Sequence, residues 1–170
     1  MDKDLKTLAA KYGTDKLEHG YIDFYEHHLP KNPKKILEIG VKEGASIRMW
    51  QEYFPEAEIH GLDLFIEFPV PSITGIHWHK GNQCDWRLME ILRREDFDVI
   101  IDDGSHNSRD QMITFFGMYN GKYYFIEDLY DDDFWRDGLP KEMTAKHFFY
   151  NDSVYKKEFG IDNKIILIHD

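Results

Sequence analysis

The chain has one cysteine, Cys84, among 170 residues, so no intrachain disulfide can form. That fits a reducing compartment, and a cytoplasmic location is expected. No apolar run approaches the roughly 18 residues that span a bilayer. The first ten residues, MDKDLKTLAA, lack the apolar core of a signal peptide, and no membrane partner is expected. Basic residues are also in short supply. Against 32 Asp and Glu stand 21 Lys and Arg, a net charge of −11 that argues against a general nucleic-acid binder, which needs a basic surface. Repeats, low-complexity tracts and Pro/Gly/Ser-rich linkers are all missing, so residues 1–170 are read as one domain.

What is present is globular: 42% hydrophobic and 15% aromatic residues suffice for one core. Strand and helix alternate. Lys35–Ile39, Glu58–Leu64, Ile76–Lys80, Phe97–Ile101 and Tyr123–Ile126 read as short apolar strands. Ala45–Phe54, Asp85–Arg94 and Gln111–Tyr119 have apolar residues at helical spacing. Strands joined by single helices imply right-handed crossovers and a parallel sheet covered on both faces. Residues 1–33 look like helices packed ahead of this core, which runs from 34 to 128. Beyond Pro140, His147–Tyr155 and Lys164–His169 read as an antiparallel hairpin over 147–170 that closes one sheet edge. Its aromatics Phe148, Phe149 and Tyr150 suit either a homodimer contact or internal packing.

Ligands in open parallel sheets bind beyond the carboxyl ends of the strands. There the first strand runs into LEIGVKEGAS, where Gly40 permits a tight turn and Gly44 a close ligand approach at the next helix. Nineteen residues after Gly44, Asp63 ends the second strand, placed to accept hydrogen bonds from both hydroxyls of a ribose. The spacing is not GxGxxG, which disfavours a pyrophosphate. It suits a nucleoside whose charged amino-acid tail lies over the glycine turn, and S-adenosylmethionine is such a ligand. After the third strand comes GNQCDW, in which Asn82 or Gln83 can bond an adenine edge; an ordinary turn with Asp85 capping a helix is an equal reading.

In the strand order 3-2-1-4-5 the fourth and fifth strands are neighbours about 5 Å apart. One ends in Asp102-Asp103 and the other in Glu127-Asp128, so like charges meet at one edge and call for a cation or a bound proton. Oxygen ligands favour Mg²⁺ over zinc. His106 follows in DDGSH, and an imidazole has the character of a general base. The plainer alternatives are that Asp103 or Ser105 caps the next helix, that His106 is a solvated surface residue, and that the acids from Glu127 to Asp133 form a solvated loop.

With LEIGVKEGAS, GLDLF, GNQCD, IIDDGSH and FIEDL in order, the chain resembles the class I S-adenosylmethionine-dependent methyltransferases. More narrowly it resembles the metal-dependent sugar O-methyltransferases of macrolide biosynthesis, of mycinamicin and tylosin type, and the cephalosporin-hydroxylase-like family. KYGTDKLEHGYIDFYEHHL also looks like the segment that precedes the core in those enzymes. The resemblance implies a Rossmann-like α/β fold, Asp103, Glu127 and Asp128 as metal ligands, and His106 as the base. It implies cofactor roles for Glu38, Gly40, Gly44 and Asp63, with Asp102 near the methionine end. Tyr12, Thr14 and Lys16 are expected to fold over cofactor or substrate. Asn82 departs from the aspartate common in relatives. The larger macrolide enzymes also have an auxiliary domain or long substrate loops, whereas here only residues 129–146 can serve as a lid. The implied reaction is Mg²⁺-assisted transfer of a methyl group to a hydroxyl of a carbohydrate or glycosylated small molecule. The competing readings are a catechol-type O-methyltransferase, a metal-dependent hydrolase and a non-catalytic S-adenosylmethionine-binding module.

Overall fold

The computed structural model describes residues 4–65, 72–130, 135, 137–139 and 164–169. Five parallel strands, β1 (Lys35–Ile39), β2 (Glu58–Asp63), β3 (Ile76–Lys80), β4 (Val99–Asp102) and β5 (Tyr123–Ile126), form the sheet with β6 (Ile166–Ile168). The order is β3-β2-β1-β4-β5-β6, and β6 runs antiparallel to β5. This is the expected 3-2-1-4-5 order with an antiparallel closing strand; the other hairpin strand, His147–Tyr155, lies outside the described residues.

Helices α1 (Leu5–Tyr12), α2 (Tyr21–His28) and α3 (Ala45–Tyr53) precede or interrupt the first strands, and α4 (Trp86–Arg93) and α5 (Ser108–Met118) the later ones. Side chains alternate across a strand, and this alternation divides the core in two. Ile36, Val99, Ile101 and Phe125 pack with Leu5, Tyr25 and Trp50 on the α1–α3 side. Leu37, Ile39, Ile100, Tyr124 and Ile126 pack with Met89 and Phe115 on the α4–α5 side.

One detail differs from the sequence reading. Helix α5 begins at Ser108 because Asn107 is its cap, accepting from the amides of Arg109 and Asp110; neither Asp103 nor Ser105 holds that position. In the segment expected as a lid, Leu129, Trp135 and Leu139 are buried in the α4–α5 core, with Trp135 edge-on to Phe115, whereas Tyr130, Asp137 and Gly138 are exposed. Asp85 caps α4 through the amides of Arg87 and Leu88. Among the described residues no helix is long and apolar enough to cross a membrane.

Candidate active site

The turn after β1 abuts the turn after β4. Gly40 has φ +84°, and a Cβ there would stand 2.0 Å from the carbonyl oxygen of Asp103, so only glycine fits. Asp63, ending the neighbouring strand, fastens the same turn. Its Oδ2 accepts from the amides of Val41 (2.8 Å) and Lys42 (3.0 Å), and its Oδ1 from Phe65 (2.9 Å). Gly44, at φ +80°, starts α3 with no side-chain cap, which leaves that helix's first amides available to a ligand. Two hollows, of about 680 Å³ and 310 Å³, meet at this turn and share Gly40, Asp63 and Gly104. Thr14, Ser46, Asp103, His106 and Asp128 line the larger one, and Asn82, Gln83 and Ser105 the smaller.

One of the four strand-terminal acids parts from the others, because adjacent residues leave a strand on opposite faces. Asp102 turns to the α4–α5 side. Asp103 and Glu127 turn to the other side, where Lys16 enters from the loop between α1 and α2. Its ammonium lies 2.6 Å from Asp103 Oδ2, 2.8 Å from Glu127 Oε1 and 3.4 Å from Glu38 Oε1. Lys16, Glu38 and Glu127 are all essentially sealed from solvent. Burial pushes the carboxyls of Glu38, Asp103 and Glu127 above the usual range; Lys16 opposes this for each. Although burial opposes its charge, Lys16 is held well above the ordinary lysine range by Asp103, Glu127 and Glu38. Tyr25 donates its phenol proton to Glu127, and Gln111 Nε2 donates to the carbonyl of Glu127 at 3.0 Å. Glu38 also accepts from the Trp50 indole at 3.4 Å.

Asp128 instead faces the larger hollow. Asp103, His106 and Asp128 each offer one ligand atom, all within 4.8 Å of one another. His106 Nδ1 stands 4.0 Å from Asp103 Oδ1 and 3.7 Å from Asp128 Oδ2. That nitrogen is buried without a hydrogen-bond partner, as is Thr14 Oγ1 in the wall of the same hollow. Tyr21 donates to Asp128 Oδ1 at 2.7 Å, and burial keeps its phenol protonated by pushing its pKa far up. His106 (φ +55°) and Asp128 (φ +53°) both have left-handed backbone, a strain of order 1–3 kcal/mol each that is often found at functional sites. The two carboxylates offer oxygen donors that fit a hard dication, with the imidazole beside them.

Asp102 lies on the opposite face, fully buried. It accepts from Gln83 Nε2 (3.2 Å), the Gly104 amide (3.4 Å) and the Tyr124 hydroxyl (3.3 Å). Burial pushes its carboxyl up to about 7. Between the ordinary aspartate value and 7 the folded chain therefore holds a proton that the unfolded chain has lost, and stability falls as pH rises through that window. From about pH 5 to about pH 8, wild type should lose on the order of 2–3 kcal/mol relative to Asp102→Asn. Urea unfolding of both proteins at several pH values reads this directly; parallel curves would show that Asp102 is ionised throughout.

Several expected contacts go elsewhere. Gln83 spends its amide on Asp102, Thr114 and the Ser105 amide, so it braces the turn after β4. Asn82 Oδ1 accepts from Cys84 N at 2.8 Å within its own turn, although the residue lines the smaller hollow. Glu38 is a partner of Lys16 and lies beneath the hollow's lining. Tyr12 bonds Glu52 on α3. Sequence reasoning missed Tyr21 and Tyr25 as partners of the acids, and nothing local signals them: each lies more than 100 positions from its carboxylate.

No family model matches. Over 75% of its length the chain is 35% identical to an 8-demethyl-8-(2-methoxy-α-L-rhamnosyl)-tetracenomycin-C 3'-O-methyltransferase of Streptomyces olivaceus, covering 37% of that protein. It is 32% identical to the mycinamicin VI 2''-O-methyltransferase of Micromonospora griseorubida, covering 75% of this chain and 36% of the relative. The chain thus spans little more than a third of these curated relatives. Among solved structures, the MycE methyltransferase of the mycinamycin pathway, in complex with Mg and SAH, superposes with a TM-score of 0.70 at 29% identity, covering 86% of this chain and 42% of that one. By sequence and by architecture the chain is therefore a relative of the sugar O-methyltransferases of glycosylated natural products and has the class I methyltransferase fold.

Proposed function

We propose that this chain transfers a methyl group from S-adenosylmethionine to a hydroxyl of a sugar or glycosylated small molecule, assisted by Mg²⁺. The observation that carries the reading is the convergence of Asp103, His106 and Asp128 on a hollow also lined by the Gly40 turn and Asp63. When bound, S-adenosylmethionine supplies an electrophilic methyl on sulfonium, and Mg²⁺ supplies a Lewis acid that acidifies the accepting hydroxyl.

The chain's own residues do the rest. The uncapped amides of α3 would hold the cofactor's carboxylate beside Gly40. Asp63 keeps lone pairs for ribose hydroxyls while its oxygens fasten the turn. Thr14 offers an unused hydroxyl from the wall. Asp103 and Asp128 would hold the ion, with Tyr21 steadying Asp128. The family resemblance would add Glu127 as a third ligand; here Lys16 and Tyr25 both engage its Oε1. His106 would take the proton of the acceptor hydroxyl as that oxygen bonds to the methyl carbon, the carbon–sulfur bond breaking to leave S-adenosylhomocysteine. Holding the one attacking oxygen in line with that bond would supply much of the acceleration.

Calorimetric titration with S-adenosylhomocysteine, with and without Mg²⁺ and with NAD⁺ as control, tests the cofactor. Micromolar or tighter binding of the first and none of NAD⁺ is expected. Asp63→Ala should weaken it about 10- to 100-fold, the worth of one or two charge-assisted hydrogen bonds. Absence of binding would sink the methyltransferase reading. An acceptor screen follows, in which faster turnover of catechols than of sugar diols would move the acceptor to the aromatic class.

A further inference from the structure

A second group of ligating side chains lies away from the hollow, at the start of β2 and along β3. Parallel pairing sets His60 opposite His77 and Leu62 opposite His79. The period of two puts Glu58, His60, His77 and His79 on one face of the sheet. Their rings form a stack: His60 and His77 have centroids 4.5 Å apart, and His60 and His79 5.2 Å, with planes within 17°. Glu58, His60 and His77 each offer a ligand atom, all within 4.8 Å of one another.

The buried member carries the argument. His60 is 4% exposed, and its Nδ1 lies 2.9 Å from His79 Nε2. Its other nitrogen, Nε2, is buried with no hydrogen-bond partner and lies 3.9 Å from Glu58 Oε2. With Nδ1–H donating to His79, Nε2 carries a lone pair that no hydrogen bond uses. A ligating histidine is commonly held in this way, its other nitrogen donating to a fixed acceptor. An unsatisfied buried imidazole nitrogen is costly unless something completes it.

We propose that Glu58, His60 and His77 form a site for a zinc-type transition-metal dication at the β2–β3 edge, with His79 fixing the ligating tautomer of His60. Two imidazoles and a carboxylate suit zinc and its neighbours, whereas the oxygen-rich Asp103–Asp128 centre suits Mg²⁺. His77 is exposed, so its ring can turn to meet an ion. Lys35, 3.6 Å from Glu58 and 2.8 Å from Glu95, is the competing cation and keeps its partner Glu95 when the ion binds. The ion would tie β3, which among the described residues pairs on one side only, to β2.

The test is Zn²⁺ titration of the full chain against a fluorescent chelator, in saturating Mg²⁺, with Co²⁺ absorption as the report on nitrogen ligation. Wild type should take up one Zn²⁺ per chain. His77→Ala, a surface change that spares the core, should lose about 100-fold or more in affinity, and His79→Ala about 10- to 100-fold. Asp128→Asn should bind zinc as wild type does. Zinc should raise the melting temperature of wild type but not of His77→Ala. Zinc uptake that survives His77→Ala, uptake lost in Asp128→Asn, or no uptake by wild type each overturns the proposal.

Discussion

His106→Ala is expected to lower methyl transfer by about two to four orders of magnitude, the usual worth of a positioned base. Binding of S-adenosylhomocysteine and the Mg²⁺ concentration for half-maximal effect should stay close to wild type. The second expectation separates two roles that the geometry alone leaves adjacent. His106 Nδ1 is within 4.0 Å of both Asp103 and Asp128, so an ion between them could take the imidazole as a ligand. Loss of a base lowers the rate; loss of a ligand shifts the Mg²⁺ requirement. Residual activity near wild type would remove His106 from the mechanism, and a large rise in the Mg²⁺ requirement would make it a ligand.

Lys16→Met should produce the largest loss of stability, about 3–5 kcal/mol, as expected when one partner of a buried ion cluster is removed. That is a large part of the 5–15 kcal/mol typical of a domain. Glu38, Asp103 and Glu127 would then face one another with no buried cation, and their already raised pKa values would rise further. The sign follows from linkage: raised carboxyls take up protons on folding, so the variant should be most stable in acid and lose stability as pH rises. In wild type the raised Lys16 stays charged up to its unfolded value, and its own contribution is constant over neutral pH. Urea unfolding at about pH 5 and about pH 8, with and without Mg²⁺, reads all of this. Partial recovery with Mg²⁺ is expected, since a dication can offset the same carboxylates. A wild-type midpoint for Lys16→Met at the higher pH would show that the acids are already protonated in the folded chain.

Local order in the sequence determined the architecture. Short apolar strands alternate with amphipathic helices, and that pattern admits few folds besides a parallel sheet covered on both faces. The chemistry of the Gly40 turn was equally local, because a left-handed φ and the close approach of another chain segment each demand glycine. The pairing of Asp103 with Asp128 followed from strand order, and His106 from its place in the same turn. Tertiary structure alone decided how the acids divide. Asp102 and Asp103 are neighbours in sequence, yet the pleat sends one beneath Gln83 and the other to Lys16. Lys16 stands 87 positions before Asp103, and Tyr25 102 before Glu127. No periodicity or motif encodes such partners, because a buried carboxylate is completed by whichever cation or donor the packing of distant helices brings to it.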